Sequence, residues 1–188
     1  LDYEFINKNT AYVSTPSSVG KYQDPLNLNT FRSQQNIAVF DSIRADALFY
    51  DKSDSILYAC SKLGLYRYKN NKRLSGTYKM MDDISFTDIV KNRQGIIIAS
   101  SLGDGVFFFN NKQILQVNEK AGLSDNMCTS LFNENDSTVW VATLNGLNRI
   151  VSNYVSGKIE IKVRNFYRND GLPSNYINDI YVFGDSIW

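Results

Sequence analysis

Short apolar runs separated by polar turns fill this chain, and the runs come in pairs. Val139, Trp140, Val141 and Ala142 lead into a turn at Leu144, Asn145 and Gly146, and a second run follows at 147–150. Two strands joined by a tight turn are the natural reading. The same pair recurs at 96–100 with 105–108, at 56–60 with 64–67 and at 11–15 with 18–21, and it restarts at Ile187. The anchors Tyr12, Leu57, Ile97, Trp140 and Trp188 fall 40 to 48 residues apart. A further apolar run precedes each hairpin, and its anchors Leu48, Ile89, Leu131 and Ile180 fall 41 to 49 residues apart. Two markers that keep step at this period point to propeller blades or helical arrays. No window sustains the three-to-four spacing of a helix, the best being 111–120, so blades are expected.

Four strands fit each repeat. One full unit is predicted at 84–90, 95–100, 106–110 and 113–117, and the next at 127–132, 138–143, 147–151 and 159–166. In the last of these, Ile159, Ile161 and Val163 share one face while Lys158, Glu160, Lys162 and Arg164 share the other. That alternation predicts a half-solvated edge strand. The second strand is apolar on both faces, so it should be central, with Trp140 buried between blades. The expected fold is all-β, a partial β-propeller of about four four-stranded blades forming an open arc of a larger ring. The blades are placed at about 1–42, 43–82, 83–121 and 122–171, with an incomplete one at 172–188. The first fits least well: its outer strands are read at 3–6 and 36–40, with an insertion over 21–35.

Composition narrows the chemistry. The chain has 188 residues, 43% hydrophobic and rich in Tyr and Phe, as strand proteins are. Its net charge of +1 and lack of a basic stripe argue against nucleic-acid binding. It has no histidine, which removes Ser-His-Asp and Cys-His catalysis and imidazole metal sites. Cys60 and Cys128 fall two repeats apart, and repeat units contact mainly their neighbours, so both should be free. No run is long enough to span a membrane as a helix. The chain opens on Leu1 and stops at Trp188 inside a predicted strand, so we read it as a piece of a longer protein.

The segments between repeats carry a shared signature. Gly122-Leu123-Ser124-Asp125-Asn126 precedes one repeat and Gly171-Leu172-Pro173-Ser174-Asn175 the next, and the strand run Val139 to Thr143 continues to Gly146, Leu147 and Arg149. With these motifs the chain resembles the two-component regulator propeller repeat, typical of periplasmic sensor regions of hybrid histidine kinases in Bacteroidetes. The likeness covers about three quarters of the chain and is weak before Ile43. It implies a periplasmic propeller that senses a ligand, in many relatives an oligosaccharide, and signals across the membrane through segments outside this chain. The partners implied are that ligand and downstream domains; the bare terminal faces of an open arc call for cover by the remaining blades or by a second copy, as a homodimer. The same repeats occur in a propeller protein of type IX secretion, which leaves a scaffold role open. The family shares no catalytic residues.

Ligands of propellers usually bind where the hairpin turns and the inter-blade linkers emerge together. The candidates there are Asp82, Asp83, Ser124, Asp125, Asn126, Ser174 and Asn175 from linkers, with Ser61, Lys62, Ser101, Asp104 and Asn145 from hairpins. Asn126 and Asn175 have a second reading, in which they bond their own backbone to hold the turn. The oxygen-rich turns 51–55 and 133–136 lack the carboxylate set and glycine of a calcium loop. No metal or cofactor is expected. Asp82, Asp83 and Asp88 are the acidic residues that an enzyme reading, as a glycan lyase or hydrolase, would have to use. We expect no enzyme.

Overall fold

The structure is a computed structural model and describes residues 2–23, 37–75, 79–183 and 186–187. The described residues are almost wholly β, in four four-stranded antiparallel sheets and a two-stranded start of a fifth. The first holds β1 (Asp2–Asn7), β2 (Thr10–Thr15), β3 (Ser18–Gln23) and β4 (Ile37–Asp41). The second holds β5 (Ala47–Asp51), β6 (Ile56–Ser61), β7 (Gly64–Lys69) and β8 (Lys72–Arg73). The third holds β9 (Phe86–Lys91), β10 (Ile97–Ser101), β11 (Val106–Phe109) and β12 (Ile114–Val117). The fourth holds β13 (Cys128–Asn133), β14 (Thr138–Thr143), β15 (Gly146–Val155) and β16 (Lys158–Phe166). β17 (Val182–Phe183) and β18 (Ser186–Ile187) pair with each other. Every sheet is a meander in chain order, as in a blade of a β-propeller. The fold class is thus all-β and part of a β-propeller. The insertion expected over 21–35 overlaps β3 at its start, and 24–36 lie outside the described residues.

The chain divides into two compact units, Leu1–Phe86 and Thr87–Trp188. In the first unit, Tyr12 and Val19 of one sheet pack against Leu48, Leu57 and Tyr68 of the next. In the second, Ile98, Phe108 and Val117 pack against Leu131, Val141 and Ile150. The second strands are buried most completely: every residue of β2 and β10 is buried, and all but one of β6 and β14. Strands with both faces covered need apolar or small residues on both, and these have them. β16 is an edge strand in the expected phase: Ile159 is buried, and Lys158, Glu160, Lys162 and Arg164 are exposed.

Within each unit a carboxylate stitches neighbouring sheets together. Leu48 N–H donates to Asp2 Oδ2 at 2.7 Å, and Tyr50 N–H donates to Glu4 Oε1 at 3.4 Å. Leu131 N–H donates to Asp88 Oδ2 at 2.8 Å. Leu48 and Leu131 hold the same place in the repeat, on the first strand of a blade, whose outer edge has no ladder partner. Burial of Glu4 raises its carboxyl above the ordinary range.

Trp140 departs from expectation. It is half-buried, in a small cluster with Ala142, Leu147, Phe166 and Ile180. Its indole N–H donates to Glu134 Oε2 at 2.7 Å, and its ring lies 5.5 Å from that of Phe166. A tryptophan keeps its polar N–H where a partner is in reach, and here that partner sits at the edge of the sheet. Cys60 and Cys128 are buried and free. Helix among the described residues is confined to three short 3₁₀ turns, Lys79–Met81, Glu119–Ala121 and Arg168–Asp170. None is long or apolar enough to cross a membrane.

Candidate functional site

The candidate residues gather where each second-to-third-strand hairpin meets the linker that leads to the next blade. Four such hairpin–linker junctions lie among the described residues, and the two in the second unit are built alike. In the first of these, the β12–β13 linker makes a 3₁₀ turn capped by Asn118, whose side chain accepts from Lys120 N–H, and ends at Gly122 with φ 99°. Leu123 then turns into the core. Asn126 Oδ1 accepts from Glu119 N–H at 2.9 Å, while Asn126 N–H donates to Glu119 Oε1 at 3.2 Å. Its carbonyl accepts from the N–H groups of Gly103 and Gly105 on the hairpin.

The second junction repeats this with other residues. Its 3₁₀ turn Arg168–Asp170 ends at Gly171, φ 106°. Asn175 Oδ1 accepts from Arg168 N–H at 2.7 Å, and its carbonyl accepts from Gly146 N–H at 2.6 Å. Asn175 Nδ2 lies 3.4 Å from Asn145 Oδ1. Ser174 accepts from Tyr176 N–H. Both asparagines are thereby engaged in closing their own turns, the structural alternative read for them in the sequence.

The hairpin residues fall with these closures. Ser101 is fully buried; its hydroxyl donates to Gly105 O at 2.8 Å and accepts from Asp104 N–H. Asp104 is half-buried beside it. Asn145 is exposed, and its N–H donates to Thr143 Oγ1. Ser124 is tied to Thr143 and to the buried Asn148. The second unit thus gathers its candidates into two groups, Ser101, Asp104 and Asn126, and Asn145, Ser174 and Asn175. Asp88 lies elsewhere, on β9, committed to Leu131 N–H.

The junction at Gly64, in the first unit, is different. Gly64 pairs with Asp82 across an isolated bridge, so hairpin and linker still meet. The linker lacks the Gly-Leu-x-x-Asn signature, and a cleft of about 530 Å³ opens beside it. Its walls include Gly64, Tyr66, Arg67, Arg73, Asp82 and Asp83. Both aspartates and Arg73 are exposed, and none of the three forms a salt bridge with a described residue. Arg73 stacks its guanidinium 3.9 Å from the Tyr66 ring centroid. Asp83 takes the left-handed conformation, φ 61°, in the turn at the rim. Tyr68, by contrast, is buried, and its hydroxyl donates to Asp41 Oδ2 at 2.8 Å. Arg73 was not singled out in the sequence; the signal available was its place in a two-residue strand opposite the aromatic β7.

No known family profile and no curated protein matches the chain. Solved structures do. An extracellular domain from B. thetaiotaomicron, designated in one structure a hybrid two-component system and in another a one-component system, aligns over 96% and 100% of this chain. The TM-scores are 0.64 and 0.70, each at 16% identity. PorZ, a surface component of the type IX secretion system of Porphyromonas gingivalis, aligns over 87% of this chain and 33% of its own, with TM-score 0.58 and 12% identity. The likeness is one of fold. The chain spans about a quarter of the extracellular domain's length.

Proposed function

We propose that this chain is part of a periplasmic ligand-sensing propeller of a hybrid two-component sensor kinase. The observation that carries the reading is the alignment of 96% of the chain with an extracellular domain of that designation. The signature at Gly122 to Asn126 and Gly171 to Asn175 supports it, and so does a cleft at a hairpin–linker junction, where propellers take ligands. The ligand is a small polar molecule, with an oligosaccharide the first class to test. The chain is not itself an enzyme. It reaches the membrane through segments outside this sequence, and a second copy is a candidate partner. A glycan and metabolite binding screen on the intact extracytoplasmic region tests the reading. A hit that shifts its melting temperature, and that activates a reporter through the full-length protein, supports it. A screen without hits, together with a stable complex at the cell surface, favours the scaffold reading that the likeness to PorZ suggests.

A further inference from the structure

The cleft of the first unit has a charge pattern that narrows its ligand. It offers a guanidinium at Arg73 and carboxylates at Asp82 and Asp83, all exposed and not paired with one another; the other guanidinium of the wall, Arg67, is half-buried and already engaged. Three pairs of opposite charges among the described residues do close on each other: Arg149 bonds Glu134 at 3.1 Å, Arg44 bonds Asp46 at 3.0 Å and Arg93 bonds Asp136 at 3.2 Å. In the cleft the two signs stand on different segments, β8 and the linker after Met81, with the opening beside them. The aromatic face that a neutral sugar ring would stack on is also taken, since the Arg73 guanidinium covers Tyr66. The stack holds the planar group while leaving its in-plane N–H donors for an anionic oxygen.

We infer that this cleft binds a small zwitterion of amino-acid or dipeptide size, its carboxylate on Arg73 and its ammonium on Asp82 and Asp83. The inference rests on the sensor reading and narrows its ligand. A volume of about 530 Å³ is in the range of small-ligand pockets. A ligand carrying both charges satisfies both walls at once, whereas an ion of one sign leaves the other wall unpaired.

The test is calorimetric titration of the full chain with four probes: alanylalanine, its N-acetyl derivative, its C-terminal amide, and maltose. Alanylalanine is expected to bind, and loss of either charge to weaken it about tenfold. In Arg73→Gln the dipeptide and its amide should bind alike. In the double variant Asp82→Asn, Asp83→Asn the dipeptide and its acetyl derivative should bind alike. These positions are exposed, so circular dichroism should show both variants folded. Equal binding of all four probes, binding of maltose alone, or no binding of alanylalanine at millimolar concentration overturns the inference. Maltose binding that Arg73→Gln leaves unchanged overturns it while the sensor reading stands. That reading falls only with the failure of the wider screen on the intact region.

Discussion

The junction at Gly64 and the junctions at Gly105 and Gly146 do the same topological task with opposite results. Each brings a hairpin glycine against the linker entering the next blade. At Gly105 and Gly146 the linker is a capped 3₁₀ turn, a left-handed glycine, a leucine and an asparagine that ties the loop to its own start. At Gly64 the linker keeps the main-chain bridge and loses the asparagine closure, and charges that would have been spent on the loop face the cleft instead. The same repeat therefore yields a sealed junction or an open one, according to whether a side chain is used to satisfy the linker's backbone. Polar groups consumed in closing a turn are poor candidates for ligand contact; those left over are better ones.

Several substitutions probe that contrast. The largest effect belongs to Gly105→Ala. Its φ is 78°, and an added Cβ would run into the carbonyl of Val117, so a loss of about 3 kcal/mol is expected in urea denaturation. Gly64→Ala is also strained, at φ 135°, but its nearest neighbour, Met81 O, is 3.4 Å away, and about 1–2 kcal/mol should be lost. Equal losses at the two sites would erase the distinction between sealed and open junctions. Trp140→Ala should have an effect of similar size to that of Gly64→Ala. Its cluster includes the linker residues Leu172 and Ile177, and with the ring only half-buried the cost should be about 2 kcal/mol, below that of a fully enclosed aromatic.

Asn175→Ala should cost about 1 kcal/mol by freeing Arg168 N–H, and Asn126→Ala about the same at Glu119 N–H. Asp82→Ala should stay within about 0.5 kcal/mol, having no such bond to lose. A cost at Asp82 equal to that at Asn175 would mean that the junction at Gly64 is sealed too. The smallest effect is a pH dependence at the edge of the fourth sheet. Hydrogen bonds from Arg149, helped by one from Trp140, hold the Glu134 carboxyl below its ordinary value of 4.5. The folded value is the depressed one. The contribution is therefore present above pH 4.5 and is lost as pH falls through the folded value. Arg149→Met should remove that contribution, lowering the neutral plateau slightly and flattening the acid limb, so that variant and parent converge below the folded value.

The sealed junctions were nearly legible in the sequence. Gly122, Leu123 and Asn126 stand at the spacing of Gly171, Leu172 and Asn175, and asparagine's habit of bonding nearby backbone made the closure one of two readings. The hairpin of β14 and β15 was equally plain, because apolar runs around Asn145 and Gly146 permit little else. The side of Trp140 that meets Glu134 was not legible, since β14 is apolar on both faces and nothing in the run tells a sheet's centre from its margin. Asp82 and Asp83 stood out as charges on a linker, but their relation to Arg73 depends on the register that sets Arg73 opposite Tyr68. The reach of Asp2 and Asp88 into neighbouring sheets depends on the stagger between sheets, which no single-strand pattern encodes.

Those two aspartates bear on how such a chain avoids assembling wrongly. Tandem sheets of similar sequence invite exchange, because any first strand with bare amides can template a strand from another copy. Carboxylates matched to particular amides, Asp2 and Glu4 to Leu48 and Tyr50 in one unit and Asp88 to Leu131 in the other, work as keys cut for their own teeth. A slip of two residues would keep the apolar pattern in phase and still leave a carboxylate without its amide, Asp2 or Glu4 in the first unit and Asp88 in the second. Docking of one sheet on the next is then checked twice, loosely by oil and strictly by charged hydrogen bonds, and a misregistered neighbour would carry a stranded anion that favours its release.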